Sequence, residues 1–153
     1  MQPLKISMLP VLLTLIFCSC DPCNNLDCLS SNYYGQFRIV KASDGTDLVF
    51  GSGSIYDQNT IKFYALKGTD TTFFESQPGK SPNAGFDSIL QVNFYPHVDM
   101  AFMRLSNGDI DTLKISYKTF DTRCCGTITE ITGFRLNNSI DIEAEDGIQK
   151  ILK

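Results

Sequence analysis

The amino-acid sequence predicts an all-β protein, an antiparallel β-sandwich of about seven to eight strands over residues 33–153. Apolar and polar residues alternate with a period of two along most of this span, which is typical of strands with one buried face. Turn-favouring pairs such as Asn107-Gly108 and Asp146-Gly147 separate the alternating runs. No stretch of about ten or more residues shows a clean helical period. The length of 153 residues suits one domain.

The predicted strands follow one another with turn signals between them. Two of them flank Lys67-Gly68 as a hairpin, and a loop with two prolines and two glycines is predicted over residues 76–85. The alternating runs are 37–40, 61–65, 71–74, 88–95, 101–106, 109–120, 127–136, 140–144 and 148–152.

The pair Asn107-Gly108 gives the clearest local signal in the chain. Asn-Gly favours the positive φ angles of a type I′ turn, whose twist matches that of the flanking strands, so the pair predicts a hairpin tip. In the following strand Leu113, Ile115 and Tyr117 alternate with polar residues, which predicts one buried and one solvated face.

The first 19 residues have the pattern of a secretory signal. Lys5 precedes an apolar stretch over 6–17, which is shorter than the roughly 20 residues that a membrane-spanning helix needs. We therefore expect residues 1–19 to be a signal peptide, residues 20–32 to be a polar tether, and residues 33–153 to be the folded domain.

Phe17-Cys18-Ser19-Cys20, at the end of this stretch, resembles a bacterial lipobox of the relaxed kind found in Bacteroidetes-type lipoproteins. The resemblance implies that Cys20 becomes the acylated N-terminal residue. Acyl chains on one cysteine would anchor the protein without a spanning helix. The alternative is an ordinary cleaved signal peptide that leaves Cys20 free or disulfide-bonded.

A second resemblance concerns the fold. Residues 35–48, GQFRIVKASDGTDL, are similar to the first hairpin of carboxypeptidase-regulatory-like domains, which are small β-sandwiches related to transthyretin. The resemblance covers 14 residues and implies a sandwich, but it implies no particular function.

Four cysteines remain beyond the predicted acylation site, in two groups about 100 residues apart. An even number in an exported chain indicates disulfides, and a bond between the adjacent Cys124 and Cys125 would be strained. We therefore expect Cys23 and Cys28 to bridge to Cys124 and Cys125, in either pairing. Both bridges require a turn or bulge at the adjacent pair, which Gly126 permits.

Other arrangements of these cysteines remain open. A local bridge between Cys23 and Cys28 would leave Cys124 and Cys125 as thiols or as a strained pair. A zinc site built from all four cysteines is less expected in an oxidising compartment. The spacing Cys20-x-x-Cys23 lacks the helix and the βαβ unit of a thioredoxin-like redox motif.

The sequence predicts no catalytic, cofactor or metal site. His97 is the one histidine and is expected in an exposed loop; the alternative is a general base of an exported enzyme. Asp109 and Asp111, like the acidic residues at 141, 143 and 145, are interpreted as solvated strand faces rather than calcium ligands.

Binding sites are equally undefined by the sequence. Tyrosines could stack against a sugar, although half-buried strand positions are the preferred interpretation; these are Tyr33, Tyr34, Tyr56 and Tyr95. A formal net charge of −4 disfavours nucleic acid as a partner.

Together these patterns predict an exported, membrane-anchored lipoprotein of the bacterial cell envelope. Its domain would bind or scaffold an unidentified envelope protein or glycan, without a cofactor and without catalysis. The alternative is an exported enzyme or thiol-redox protein that uses His97 or the pair Cys124 and Cys125.

Overall fold

A computed structural model describes residues 23, 27, 28, 30–79 and 88–153 of the chain. The described residues form ten β-strands and contain no helix, so the all-β prediction is confirmed. The predicted signal peptide and Cys20 lie outside the described residues. The strands are β1 (Tyr34–Val40), β2 (Lys62–Lys67), β3 (Asp70–Gly79), β4 (Ile89–Asn93), β5 (Met100–Ser106), β6 (Asp109–Thr122), β7 (Gly126–Leu136), β8 (Ile140–Asp141), β9 (Ala144–Glu145) and β10 (Ile148–Leu152).

The ten strands belong to one sheet in the order β8-β7-β6-β5-β2-β3-β4-β1-β10-β9. All neighbours are antiparallel except β1 and β10, which run parallel. The expected sandwich would have two sheets, and β3 explains why there is one. Its first half pairs with β2 and its second half pairs with β4, so this long strand joins what would otherwise be separate sheets.

The two ends of this strand order meet in one short segment. β8 pairs with β7, and β9, which starts three residues after β8 ends, pairs with β10. Between them, the Ile142 N–H donates to the Phe134 carbonyl at 3.0 Å, and the Lys150 N–H donates to the Glu143 carbonyl at 2.9 Å. The sheet therefore curls back on itself, and its inner face encloses the hydrophobic core.

The core is built from the inward-facing residues of almost every strand. Phe37 of β1 lies at its centre, with ring centroids 4.9 Å from Phe134 and 5.5 Å from Phe63. Leu113 and Ile115 are buried, which confirms the predicted faces of β6. The main buried cluster consists of Phe37, Ile39, Leu48, Val49, Ile61, Phe63, Phe74, Leu90, Val92, Phe94, Ala101, Met103, Leu105, Leu113, Ile115, Phe134, Leu136 and Ile151.

Asn107-Gly108 forms the tip of the β5–β6 hairpin, as the sequence predicts. The predicted turn type is wrong, since neither residue has a positive φ. The register shifts between Arg104 and Ser106, which leaves one additional residue in β5. This bulge adds local twist that a type I′ turn would otherwise supply.

The loop predicted over residues 76–85 is wrong in its first part. β3 continues through Pro78 to Gly79, and Pro78 pairs with Leu90 of β4. This half of β3 has a hydrogen-bonded neighbour on one side only, so the missing N–H of proline is tolerated there. Residues 80–87, which include the rest of the predicted loop, lie outside the described residues.

Candidate functional site

Two disulfides fasten the N-terminal segment to the turn between β6 and β7. Cys23 is bonded to Cys124 and Cys28 to Cys125, with Cα–Cα distances of 5.2 and 5.3 Å. The predicted cross-link between the two groups is confirmed, and the structure selects one of its two pairings. Neither Cys124 nor Cys125 is a free thiol. The disulfides are typical of an oxidising, extracytoplasmic compartment.

Residues 123–125 form the turn that lets adjacent cysteines bond in different directions. Gly126 has a φ of 71°, in the left-handed region that glycine adopts without strain. The Thr122 hydroxyl accepts from the Cys125 N–H at 2.9 Å and donates to the Gly126 carbonyl at 3.0 Å. The Thr122 side chain therefore stabilises this turn, which the sequence analysis attributed to Gly126 alone.

After the disulfides, the N-terminal segment lies against β7. The Ser31 hydroxyl accepts from the Thr129 N–H at 3.1 Å. Asn32 donates its N–H to the Thr129 carbonyl at 3.0 Å and accepts from the Ile131 N–H at 3.3 Å. These bonds hold Ser31 and Asn32, which belong to the predicted tether, against the sheet.

A groove lies where this segment and the start of β1 pass β7. It contains a cavity of about 520 Å³, whose polar lining residues include Asn32, Tyr34, Gln36, Thr132, Asp146 and Gln149. A second cavity of about 510 Å³ shares Asn32 and Tyr34 with the first. Its other polar lining residues include Ser31, Tyr33, Asn93 and Glu130. We call these adjoining cavities the β1–β7 groove.

Local backbone features shape the groove. On β7, Ile131 pairs with Tyr117 and Gly133 pairs with Ser116, so Thr132 is an additional residue in a bulge. Bulges redirect side chains and often occur next to binding sites. On β1, a Cβ atom at Gly35 would lie 2.8 Å from the Phe134 ring, so glycine is what lets β1 approach β7 closely here.

Gln149 is the most unusual residue of the groove. It stands opposite Phe37 in the parallel β1–β10 pair and is only 9% exposed. Its Oε1 atom is buried and accepts no hydrogen bond from any described residue. A buried amide oxygen without a donor costs free energy, and such groups are rare in folded proteins. The sequence carries a signal for it, since Gln149 has the same parity as the buried Ile151 in a strand where an inward residue should be apolar.

The charge of the groove is uniformly acidic. Asp146 and Glu130 are its charged lining residues, and no Lys, Arg or His from the described part of the chain lines either cavity. Asn32 accepts from the Tyr34 N–H at 3.0 Å through Oδ1, and its Nδ2 donates to no described residue. The described lining of the groove therefore presents amide, hydroxyl, carboxylate and tyrosine groups, and none of its residues is a cation.

Of the four tyrosines that the sequence analysis considered for stacking, the groove contains two. Tyr33 and Tyr34 line it, and Tyr34 is 46% exposed. Tyr95 is exposed and packs against Phe74 instead. Tyr56 is half-buried and donates its hydroxyl to Asp109 at 2.6 Å.

The interpretation of Asp109 and Asp111 as solvated strand residues is wrong. Asp111 is 6% exposed, and the Lys153 ammonium lies 2.5 Å from Asp111 and 2.6 Å from Asp109. The Asn137 amide also donates to Asp111 at 2.7 Å. The reason is that Lys153 lies against the start of β6, where its cation requires carboxylate partners.

The pKa values of this cluster follow from its contacts. Burial alone would raise the pKa of Asp109, but hydrogen bonds from Lys153 and Tyr56 outweigh it and hold the pKa below 3.8. Burial alone would lower the pKa of Lys153, but Asp109 and Asp111 together raise it above 10.5. Burial and the bond to Asp109 raise the pKa of Tyr56 to about 12.

His97 lies where the sequence predicts it, in an exposed turn after β4. Its φ of 65° is unusual for a residue other than glycine. It forms no hydrogen bond or ion pair with any residue in the described part of the chain, so no nucleophile is held beside it there. Within that same part, no group of three potential metal ligands is present.

Among the described residues, no helix is long and apolar enough to span a bilayer. Comparisons with known proteins give no relative: no family model, no curated protein and no solved structure matches this chain.

Proposed function

We propose that this protein is an exported lipoprotein of the bacterial cell envelope, anchored through acylated Cys20, whose β domain is a non-catalytic binding module. The observation that carries the proposal is the pair of disulfides at the β6–β7 turn. They fit an extracytoplasmic location. They would also hold the domain close to the lipid anchor, which a free tether would not do.

The disulfides would hold the domain at the membrane in one orientation. Cys23 follows Cys20 by three residues, which span at most about 11 Å when extended. Because Cys23 is bonded to Cys124, the β6–β7 turn would lie next to the lipid headgroups. The formal net charge of −4 gives no attraction to anionic lipids, so attachment would depend on the acyl chains.

This orientation would place the β1–β7 groove within reach of envelope components. Thr132 lies six residues along β7 from Gly126, which corresponds to about 20 Å of extended strand. The groove would therefore open at most about 20 Å above the bilayer surface. A site at this height suits a ligand that belongs to the envelope rather than to the membrane interior.

Intact-mass analysis of the membrane fraction tests the anchor. The mature chain should begin at a lipid-modified Cys20, and Cys20→Ala should lose the lipid and leave the membrane fraction or remain unprocessed. Cys18→Ala is the matched control, since it removes a neighbouring cysteine and should leave acylation intact. An unmodified mature chain that starts at another residue would refute the lipoprotein assignment.

A further inference from the structure

We propose that the β1–β7 groove is a saccharide-binding site that takes a short, neutral sugar chain. The inference deepens the binding role proposed above and rests on it. Four features of the groove support it: an unpartnered buried acceptor, a set of free polar groups, two tyrosine rings, and the absence of cations from its described lining.

The unpartnered acceptor is Gln149 Oε1. Burying this oxygen without a donor destabilises the fold, and an apolar residue of the same size at this position would avoid that cost. A polar group kept at a cost to stability is expected where it serves binding. The Gln149 side chain lines the cavity, and a half-turn of its amide about the terminal torsion would present Oε1 to a ligand, where sugar hydroxyls or acetamido N–H groups supply the donor.

The other polar groups complete a hydrogen-bonding surface for a polyol. Among the described residues the Asn32 amide nitrogen has no acceptor, since only its Oδ1 is used, by the Tyr34 N–H. Gln36 and Thr132 add further donors and acceptors, and Asp146 adds a strong acceptor. Groups that both donate and accept match the hydroxyls of a sugar ring, each of which does the same.

Tyr33 and Tyr34 supply an apolar surface among these polar groups. Tyrosine combines a flat hydrophobic ring with a polar hydroxyl, which suits a ligand that has apolar C–H faces and hydroxyl edges. Tyr34 lines both cavities and is about half exposed, so a ring bound on either side of it would contact the same side chain.

Charge excludes the acidic ligands. Glu130 and Asp146 would repel a phosphate, a sulfate or a uronic acid, and no Lys, Arg or His among the described lining residues compensates them. Each cavity lies within the size range of small-ligand sites, and the two adjoin at Asn32 and Tyr34. The space therefore fits a short chain of sugars better than one monosaccharide.

A glycan array followed by titration tests this inference on the full mature chain, solubilised in detergent where it is acylated. The array carries neutral, acidic and amino sugars, and the best neutral oligosaccharide is then titrated calorimetrically. Gln149→Met should weaken binding at least tenfold while the melting temperature stays equal or rises. Tyr34→Ala should weaken binding by a similar factor.

Two matched controls separate the groove from the rest of the surface. Gln77→Met removes an exposed amide on β3, and Tyr95→Ala removes a tyrosine that is 50% exposed outside the groove. Both variants should bind as the unmodified protein does. A raised melting temperature in Gln149→Met combined with lost binding would indicate a residue kept for its ligand rather than for the fold.

The possible results decide the question. Absence of any neutral glycan signal, a preference for acidic or amino sugars, or binding that survives both groove variants would each overturn the proposal. Since binding is measured in solution, such a result would leave the lipid anchor untouched. Conversely, a protein without a lipid that still binds neutral sugars would refute the anchor and retain the site.

Discussion

At the scale of single residues, Lys153 ties the end of the chain to three other parts of the fold. Its backbone N–H donates to the Val40 carbonyl at 2.9 Å, and its carbonyl accepts from the Ala42 N–H at 2.7 Å. Its side chain is 17% exposed, and its ammonium contacts both Asp109 and Asp111. The cation and the two carboxylates are partly or fully withdrawn from water, so each depends on the others for its charge.

Asp109→Asn should reduce the acid sensitivity of the protein. Its contacts hold the pKa of Asp109 below the ordinary value of an aspartate in the folded state, so its ionised form stabilises the fold at pH values above that ordinary value. That contribution is lost as the pH falls through the folded pKa. The variant should be less stable by about 1–2 kcal/mol near neutral pH. It should also lose less stability than the unmodified protein between about pH 5 and pH 2 in urea titrations. Equal losses of stability in the variant and in the unmodified protein would contradict this role of the Asp109 carboxylate.

Sequence reasoning fails at these residues for a physical reason. Asp109 and Asp111 share the parity of the buried Leu113 and Ile115, so only their polarity suggested an exposed position, and nothing near them in sequence indicates a partner 42 residues or more away. Gln149 was missed in the same way: it has the parity of the buried Ile151, but Ile148 at the opposite parity is buried as well, so the alternation in this short strand does not fix its face. Long-range polar contacts are set by the tertiary fold. Their only local sign in the sequence is a polar residue at a strand position where the alternation predicts an apolar one.

At the scale of elements, a row of aromatic rings crosses three neighbouring strands on the outer face of the sheet. Tyr64 of β2 stands opposite Phe73 of β3 on one side and Phe102 of β5 on the other. The Tyr64 and Phe102 centroids are 5.2 Å apart with an interplanar angle of 16°, and Tyr64 and Phe73 are 5.8 Å apart. Phe73 is 54% exposed, so the row stabilises the sheet from its solvent side.

A double-mutant cycle should measure this contact directly. Tyr64→Ala and Phe102→Ala together should show a coupling free energy of about 0.5–1.5 kcal/mol in chemical unfolding. Phe73 and Phe102 are separated by β2 and do not touch, so Phe73→Ala and Phe102→Ala should be additive within about 0.5 kcal/mol. Coupling in the second pair as large as in the first would show that the substitutions perturb the whole sheet instead.

The elements themselves were largely predictable, because alternation and turn residues are local. The hairpins predicted at Lys67-Gly68 and Asn107-Gly108 occur, and so does the turn predicted at Asp146-Gly147. The predictions are wrong where the pairing between strands determines the local structure. The bulge in β5 changes the turn type at Asn107-Gly108, and β4 draws Pro78 into a strand by pairing along one side of β3. Neither effect is visible in a single strand's sequence.

At the scale of the whole molecule, the curled sheet and the two disulfides both bring the N-terminal part of the chain next to β7. β1 lies between β4 and β10, while the segment before it is bonded to the β6–β7 turn. The N-terminal segment therefore joins parts of the sheet that are far apart in strand order. The sandwich prediction could not anticipate this, because closure depends on a segment of six residues that pairs with β7 at one end and β10 at the other.

The two disulfides should contribute to stability in a strongly non-additive way. Cys23–Cys124 and Cys28–Cys125 close loops with sequence separations of 101 and 97 residues, but once either bond exists the other closes a ring of only about eight residues. In the chain-entropy model the first bond stabilises by about 4.7 kcal/mol and the second by about 2.5 kcal/mol. When one disulfide is removed, the disulfide that remains still closes the long loop in the unfolded chain.

Chemical unfolding of three alanine variants measures this effect. Replacing either cystine, Cys23 with Cys124 or Cys28 with Cys125, should lower the free energy of unfolding by about 2.5 kcal/mol. Replacing all four cysteines should lower it by about 7 kcal/mol, more than the sum of the two single-bond losses. A strictly additive result would mean that the bonds stabilise through local contacts at the β6–β7 turn. The excess loss would instead show that constraint of the unfolded chain is the main contribution, with one bond sufficient to hold the N-terminal segment on β7.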